Sequence, residues 1–459
     1  MELDTVNFIS DLVKIPSVSA MSEYAQDVAK CANVLNAKFS ELGFDSKIIK
    51  TDLHPIVFAE RKAKMGNAKV RVLCYGHYDV QPPDPLDKWT TPPFEPTIKD
   101  NRIWGRGTAD NKGPFSCLLA GVVDFLNANP NAPIDFGIMV EGEEEIGSPS
   151  MTKFIKENAS MISDYDFIVL SDTSSPSSEQ IVITTGLRGT GSIDVVFKGA
   201  STDVHSGMFG GVIYNPVQAM CEVCASLHTK DGFVNIENFY DGIGAIEDWE
   251  KAEIDKSPFD SESIKKLLGV SKLYKQGDYE PALAGRVLPT LEFTGIGGGY
   301  QGEGSKSVIA SECFCKISVR TVPPQKTEDI LELVKKTVRA RTPEQIKVEF
   351  IEYKANGDGY FVNPKQFAND ERGSKLSKAF KAVEECVEGV FGKKPLFLRE
   401  GASIPLISDI KKYTGLDCIM VGLFNPEDNL HAPDESFKLS TIKNASSYYR
   451  KFFERITIC

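Results

Sequence analysis

The stretch Val70-Arg-Val-Leu-Cys-Tyr-Gly-His-Tyr-Asp-Val80 decides the fold. Residues 70–75 form a nearly continuous apolar run, which reads as a strand buried on both faces and therefore as the centre of a helix-covered sheet. Gly76 breaks the run. His77 and Asp79 follow at once, at the carboxyl end of the strand, where open α/β sheets gather their ligands. Upstream, Phe8, Ile9, Leu12 and Val13 recur with helical spacing, as do Val28, Cys31, Leu35 and Leu42 before Gly43. Downstream, a helix over 113–126, a strand over 134–140, a helix over 150–157 and a strand over 167–170 keep an alternating rhythm. Strands flanked by helices in this way predict an α/β fold with a sheet covered on both faces.

The rhythm changes near residues 186–189. An alternating strand over 192–197 leads to a helix over 216–227, a long polar and acidic stretch over 230–279 and a strand over 313–319. A helix over 327–341 and a strand over 347–353 complete an α+β insert. The α/β pattern then resumes with a helix over 374–390, a strand over 417–423 and a helix over 439–453. The expected organisation is an α/β domain in two pieces, residues 1–187 and 355–459, with residues 188–354 inserted between them.

A chain of 459 residues suits two or three domains. Its 41% apolar and 25% charged content is ordinary for a globular protein and excludes disordered or collagenous classes. The net charge of −12 repels phosphate backbones and anionic lipid, so neither nucleic acid nor membrane is expected as a partner. Ten scattered cysteines form no disulfide framework and are expected to be reduced thiols. Cys221 and Cys224 form a C-x-x-C within a helix, a spacing that places both on one buried face. The acidic start at Glu2 and Asp4 is unlike a signal peptide, and no apolar run is long enough to span a bilayer. A cytoplasmic location is the expectation.

Gly297, Gly299 and Gly302 satisfy G-x-G-x-x-G, but a strand-like run follows them rather than a helix, so they read as a flexible loop and not as a nucleotide site. A stronger constellation begins with His77 and Asp79, which share one side of an extended chain, so that the carboxylate can orient the imidazole. Asp110 lies in the turn-rich stretch Gly105-Arg-Gly-Thr-Ala-Asp-Asn-Lys-Gly113 before a helix, a place that also suits a helix cap. Glu141-Gly-Glu-Glu-Glu145 follows one buried strand, Asp172 follows another, and His431 follows a third. Four acids at the end of a buried strand raise one another's pKa unless cations compensate them, so a metal site is the economical explanation. Two histidines and three carboxylates suit two divalent ions sharing one carboxylate, with zinc, manganese or cobalt favoured over calcium. Such a pair activates water for hydrolysis.

These segments, in this order, resemble the dinuclear zinc exopeptidase family of carnosinase-like cytosolic dipeptidases, aminoacylase, acetylornithine deacetylase and succinyl-diaminopimelate desuccinylase. The resemblance covers essentially the whole chain. It implies a catalytic α/β domain with helices on both faces of a mixed sheet, interrupted by a lid and dimerisation domain, in a homodimer. It further implies that His77 and Asp172 bind one metal, Glu145 and His431 the other, and that Asp110 bridges them. Asp79 would orient His77, and Glu144 would be the general base for a metal-bridging hydroxide and the later proton donor to the leaving amine. Ser201-Thr-Asp203-Val-His205-Ser-Gly207 resembles the lid motif whose histidine reaches the partner's active site and stabilises the oxyanion. Arg320 resembles the lid arginine that grips the substrate carboxylate, and Gly401-Ala-Ser403 the loop that completes that pocket, although Ser403 could also cap a helix. Asn111, Ala402 and Tyr78 depart from the family pattern without removing a ligand or the base.

Within the family, aspartate at the position of Asp172 accompanies dipeptidases and aminopeptidases, and glutamate accompanies acylases. The expected activity is therefore a metal-dependent dipeptidase acting on unblocked dipeptides or short peptides, with two divalent ions, zinc foremost, as cofactors. An N-acyl amino acid deacylase is the alternative, and a catalytically silent assembly subunit is disfavoured by the intact Glu144, Asp110, His77 and His431. Two bound divalent cations would add four positive charges and bring the formal charge to about −8. Of the five histidines, His54 and His228 remain as structural or surface residues.

Overall fold

The computed structural model describes residues 3–66, 68–258 and 261–458; Cys459 lies outside the described residues. The chain divides into two compact units, one made of Met1–Thr185, Val362–Glu400 and Asp409–Cys459 and the other of Gly186–Phe361 and Gly401–Ser408.

In the first unit four parallel strands lie side by side in the order Ile134–Glu141, Val70–His77, Phe167–Ser174, Cys418–Phe424. Ile134–Glu141 is buried at every position and Val70–His77 at all but Arg71, as the continuous apolar runs predict for strands covered on both faces. Antiparallel strands flank this centre: Ile56–Arg61 and Asp45–Ile49 beyond Ile134–Glu141, and Val182–Leu187 beyond Cys418–Phe424. The sheet is therefore mixed. Parallel neighbours need crossover connections, and helices Lys112–Ala128 and Pro149–Glu157 supply two of them. Because the four central strands run the same way, their carboxyl ends share one edge, which is what gathers His77, Glu141, Asp172 and the chain leading to His431 in one place.

The helices bind to the sheet and to each other through aromatic packing. Phe125, Phe136 and Phe453 form a T-shaped and tilted cluster with ring centroids 4.9 to 6.1 Å apart, joining helix Lys112–Ala128, the sheet and the last helix, Leu439–Ile458. That helix pair approaches closely because residue 121 has no side chain: a Cβ on Gly121 would lie 2.2 Å from Tyr449 Cβ. Lys112, wholly buried, donates from Nζ to the carbonyls of Leu12 and Ile15 at 2.9 Å each, satisfying carbonyl groups at the end of helix Thr5–Val13.

The second unit holds a four-stranded antiparallel sheet ordered Thr290–Gly298, Glu312–Thr321, Gly189–Lys198, Lys347–Gly357. Glu312–Thr321 alternates between buried and exposed positions, the signature of a sheet covered on one face only. Ile193, Val195, Phe197, Ile317 and Val319 from the sheet pack with Ala219 and Val223 of helix Pro216–Ser226 and Leu331, Val334 and Val338 of helix Thr327–Arg341. Gly297 and Gly298 belong to a strand and not to a loop, and a Cβ on Gly297 would strike the Phe314 ring at 2.4 Å. Residues 401–408 group with this unit, although they follow the resumed α/β pattern. The reason is local: the Arg188 main-chain N–H donates to Ala402 O at 3.0 Å and its Nε to Gly401 O at 2.7 Å.

Candidate metal centre

Asp110 is the hub of the carboxyl edge. His77 Nε2 lies 3.1 Å from its Oδ1, and His431 Nε2 lies 2.9 Å from its Oδ2, so one carboxylate is held between two imidazoles. His77 Nε2 is also 3.6 Å from Asp172 Oδ1, and His431 Nε2 is 3.5 Å from Glu145 Oε2. Two groups result, His77 with Asp110 and Asp172, and Asp110 with Glu145 and His431; within each, donor atoms lie within 4.8 Å of one another. All five residues expected as ligands are thus brought together.

Local structure explains each placement. His77 ends its strand, directly opposite Glu141 of the neighbouring parallel strand. Asp172 sits where the pairing of Phe167–Ser174 with Cys418–Phe424 slips: Leu170 faces Met420, but Thr173 faces Gly422, so one extra residue is accommodated and the chain is turned at this point. His431 adopts φ 59°, a left-handed conformation uncommon outside glycine, which turns the loop at this point. Asp110 caps no helix, contrary to the simplest sequence reading. Helix Lys112–Ala128 has Asn111 at its N-cap position, and the Asp110 carboxylate is taken up by the two histidines.

Further side chains hold the cluster in place. His77 Nδ1 lies 3.1 Å from the Asp79 carbonyl oxygen and 3.4 Å from Asp79 Oδ1, so the main chain shares the orienting contact expected of the carboxylate. The Asp79 carboxylate also accepts from Ser19 Oγ at 2.6 Å and from the main-chain N–H groups of Glu144 at 3.2 Å and Glu145 at 3.1 Å. One buried aspartate therefore fixes both His77 and the backbone of the acid run. Asn111 Nδ2 donates to Asp172 Oδ1 at 2.8 Å and to the Ser171 carbonyl at 2.5 Å, and Gln81 Nε2 donates to Glu145 Oε2 at 2.8 Å. Ser19 and Gln81 carry no sequence signal that would have singled them out.

The acid run divides into two kinds of residue, which corrects the expectation that cations explain all four. Glu141 Oε1 accepts from Tyr75 Oη at 2.8 Å and Ser148 Oγ at 2.9 Å, and burial followed by the nearby Asp79 charge pushes its carboxyl up to about 8. Glu143 accepts main-chain N–H groups of His54 at 2.7 Å and Ser150 at 2.8 Å. Both oxygens of Glu143 and Oε1 of Glu141 are thus taken up by hydrogen bonds, while Glu141 Oε2 is buried without one. Glu144 and Glu145 are the pair turned to the cluster. Burial, then the charges of Asp172, Asp110 and Asp79, hold the Glu144 carboxyl well above the ordinary range against the opposing effect of His77. Burial and Asp110 do the same to Glu145.

The imidazoles shift with them. Burial disfavours a charge on His77, but Asp172, Asp110 and Asp79 together outweigh it and raise the imidazole well above its usual value. The hydrogen bond to Asp110 raises His431, partly offset by burial. Asp110 is itself drawn below the usual carboxylate range, because the bonds from His431 and His77 overcome its burial. These shifts favour protonated imidazoles beside an ionised Asp110, an arrangement in which a cation can take the place of the protons.

The other expected site residues belong to the second unit. Arg320 Nη1 donates to Ser403 Oγ at 2.6 Å, beside Gly401 in the same loop. The next helix begins at Pro405, two residues beyond Ser403. His205 is exposed in the two-residue strand Val204–His205, paired with Val308–Ile309, and its Nδ1 accepts the Gly207 N–H at 3.0 Å. His54 and His228 are structural, their Nε2 atoms meeting the carbonyls of Ser19 and Leu291 at 3.0 Å.

Known proteins resemble this chain over most of its length. The Cys-Gly metallodipeptidase of Candida albicans is 29% identical over 452 residues, covering 94% of this chain and 90% of its own. The Beta-Ala-His dipeptidase of Rattus norvegicus is 27% identical over 405 residues, 87% of this chain and 79% of its own. The crystal structure of an M20 family metallo-carboxypeptidase from Sulfolobus solfataricus superimposes with a TM-score of 0.86 at 27% identity, over the full length of both chains, which bears out the expected fold. Residues 73–455, which include every member of the two ligand groups, match the family model, and the chain belongs to peptidase family M20/M25/M40.

Proposed function

We propose that this protein is a dinuclear metallo-dipeptidase that hydrolyses unblocked dipeptides or similarly short peptides. The observation that carries the reading is the Asp110 carboxylate, whose two oxygens face two different histidines at 3.1 and 2.9 Å, each histidine backed by a second carboxylate. The donor set fits two divalent cations, His77 and Asp172 on one side, Glu145 and His431 on the other, with Asp110 shared. Mixed nitrogen and oxygen donors suit zinc first, with manganese or cobalt as alternatives. When bound, the ions supply Lewis acidity to the water and to the scissile carbonyl.

The chain's own residues do the remaining work. Glu144 accepts a proton from the attacking water and returns it to the leaving amine; a carboxyl raised by burial is suited to both directions near neutral pH. Asp79 holds the Glu144 backbone and the His77 ring in register. Arg320, steadied by Ser403 beside Gly401, grips the substrate carboxylate, and His205 stabilises the oxyanion. Met208 and Val212, 69% and 72% exposed beside His205, support a homodimer made through the inserted domain, residues 188–354. The catalytic domain is the first unit, close to the expected pieces 1–187 and 355–459 apart from residues 401–408, which group with the insert. Among the described residues no helix is long and apolar enough to cross a membrane, and we place the enzyme in the cytoplasm.

Both curated relatives are named for dipeptides, which favours this reading over an N-acyl amino acid deacylase. The test is a panel of free dipeptides, tripeptides and N-acetyl amino acids, assayed after chelation and again after adding zinc, manganese or cobalt. Dipeptide cleavage should vanish on chelation and return with metal. Metal-independent cleavage, or release from N-acetyl amino acids alone, would overturn the proposal.

A further inference from the structure

Glu435 is fully buried and lies outside both ligand groups. Its carboxylate is surrounded by donors from one short turn. Oε1 accepts the main-chain N–H groups of Ala109 at 2.8 Å and Asp110 at 3.1 Å, while Oε2 accepts the Gly107 N–H at 2.8 Å and Arg106 Nη1 at 2.7 Å. Its own carbonyl accepts the Gly105 N–H at 2.9 Å. The turn that presents Asp110 is therefore wrapped around a single side chain.

That side chain stands four residues beyond His431, in the loop that carries the second imidazole. The loop turns sharply, with Asn429, His431 and Asp434 all at left-handed φ values of 54° to 61°. Asp434 Oδ1 ties it to the Thr90 N–H at 2.7 Å, and Glu435 ties it to the Asp110 turn. The turn is equally constrained: Gly107 has φ 88°, and a Cβ there would lie 2.6 Å from Val80 Cγ1. Only an ionised carboxylate meets the demand at 435. Three N–H groups and a guanidinium point inward, and an amide would turn donors of its own toward some of them. Arg106, 1% exposed, offsets the burial of the charge; it also donates from Nη2 to the Pro82 carbonyl at 3.2 Å and lies 5.4 Å from the Trp89 ring.

We propose that Glu435 is a positioning residue that sets the Asp110 carboxylate midway between the His77 and His431 imidazoles, so that both ion positions form together. The proposal rests on the reading of Asp110 as the shared ligand given above.

The test is calorimetric titration of chelated wild type and Glu435→Gln with zinc, alongside kcat and KM for a dipeptide and the thermal midpoint. The expected result is a loss of about 10- to 100-fold in zinc affinity and in kcat, with KM changing far less. Zinc binding and turnover equal to wild type would overturn the proposal. So would a lowered thermal midpoint with zinc affinity intact, which marks a merely structural residue. If near-ultraviolet circular dichroism shows that Glu435→Gln does not fold, Glu435→Asp decides. It keeps the charge against Arg106 but falls one methylene short of the amides, and wild-type zinc affinity in that variant would overturn the proposal. A wild-type protein that takes up no zinc, manganese or cobalt would instead remove the dinuclear reading itself.

Discussion

Two ion pairs of nearly equal length show how differently the two units use charge. Arg106 and Glu435 meet at 2.7 Å in the first unit with side chains 1% and 0% exposed; Lys198 and Glu349 meet at 2.6 Å in the second with 38% and 34% exposure. Distance alone does not distinguish them. Water does: the first pair sits where an unpaired charge has nothing to solvate it, and the second where either partner can turn to solvent. The same contrast runs through the whole molecule. The carboxyl edge of the parallel sheet concentrates buried charges that must satisfy one another, whereas the antiparallel sheet keeps its charges on the wet face and its apolar residues beneath. Chemistry is placed on the first arrangement and tolerance on the second.

The largest effect expected on this contrast is catalytic. Glu144→Gln should lower kcat by about 10²- to 10⁴-fold, the usual contribution of a general base, while leaving the thermal midpoint and zinc uptake close to wild type. Turnover within a few fold of wild type would take the base from Glu144. Next in size is the buried pair. Arg106→Ala should destabilise the fold by about 3–5 kcal/mol in urea unfolding, because it strands the Glu435 charge, whereas Lys198→Ala should leave the urea midpoint within error. Equal effects would erase the distinction between the two regions.

A smaller effect should appear in the pH dependence of the chelated protein. His77 and His431 are raised above 6.5, so the stability they contribute is complete below that pH and is lost as the pH climbs through their folded-state values. Glu144 and Glu145, raised above 4.5, work in the same direction, since the folded state resists their ionisation. Asp110, lowered, contributes stability that is present above 3.8 and lost only in strong acid. The thermal midpoint of the chelated protein should therefore fall as the pH rises above about 6.5, and zinc should abolish the decline by replacing the protons. An unchanged slope with zinc bound would show that the cluster is not where the ions sit.

Much of this was legible in the chain. The apolar runs predict the central strands within a few residues, and helix 327–341 is found with those bounds as Thr327–Arg341. Strands Asp45–Ile49 and Leu396–Arg399 went unread, since they are short or mixed in polarity and take their places by pairing with neighbours. Of Gly297, Gly299 and Gly302, read together as a loop, Gly297 lies in a strand whose backbone packs against the Phe314 ring, an approach that no local pattern announces. In the acid run, composition could not separate Glu141 and Glu143, which face hydroxyl and amide donors, from Glu145, which faces His431, and Glu144, which feels the charges of His77, Asp172 and Asp110.

What the sequence by itself determined is the inventory and its order: buried apolar runs followed by His77, Glu141 and Asp172, a glycine-rich turn before a helix, and a second histidine far along the chain. Those follow from periodicity and turn chemistry, which are local. Only the tertiary structure decided that Asp110 faces both imidazoles and that Glu435 binds the Asp110 turn, because parallel pairing brings strand ends distant in sequence to one edge. Out of water, each charge there is held by the partners that the fold supplies.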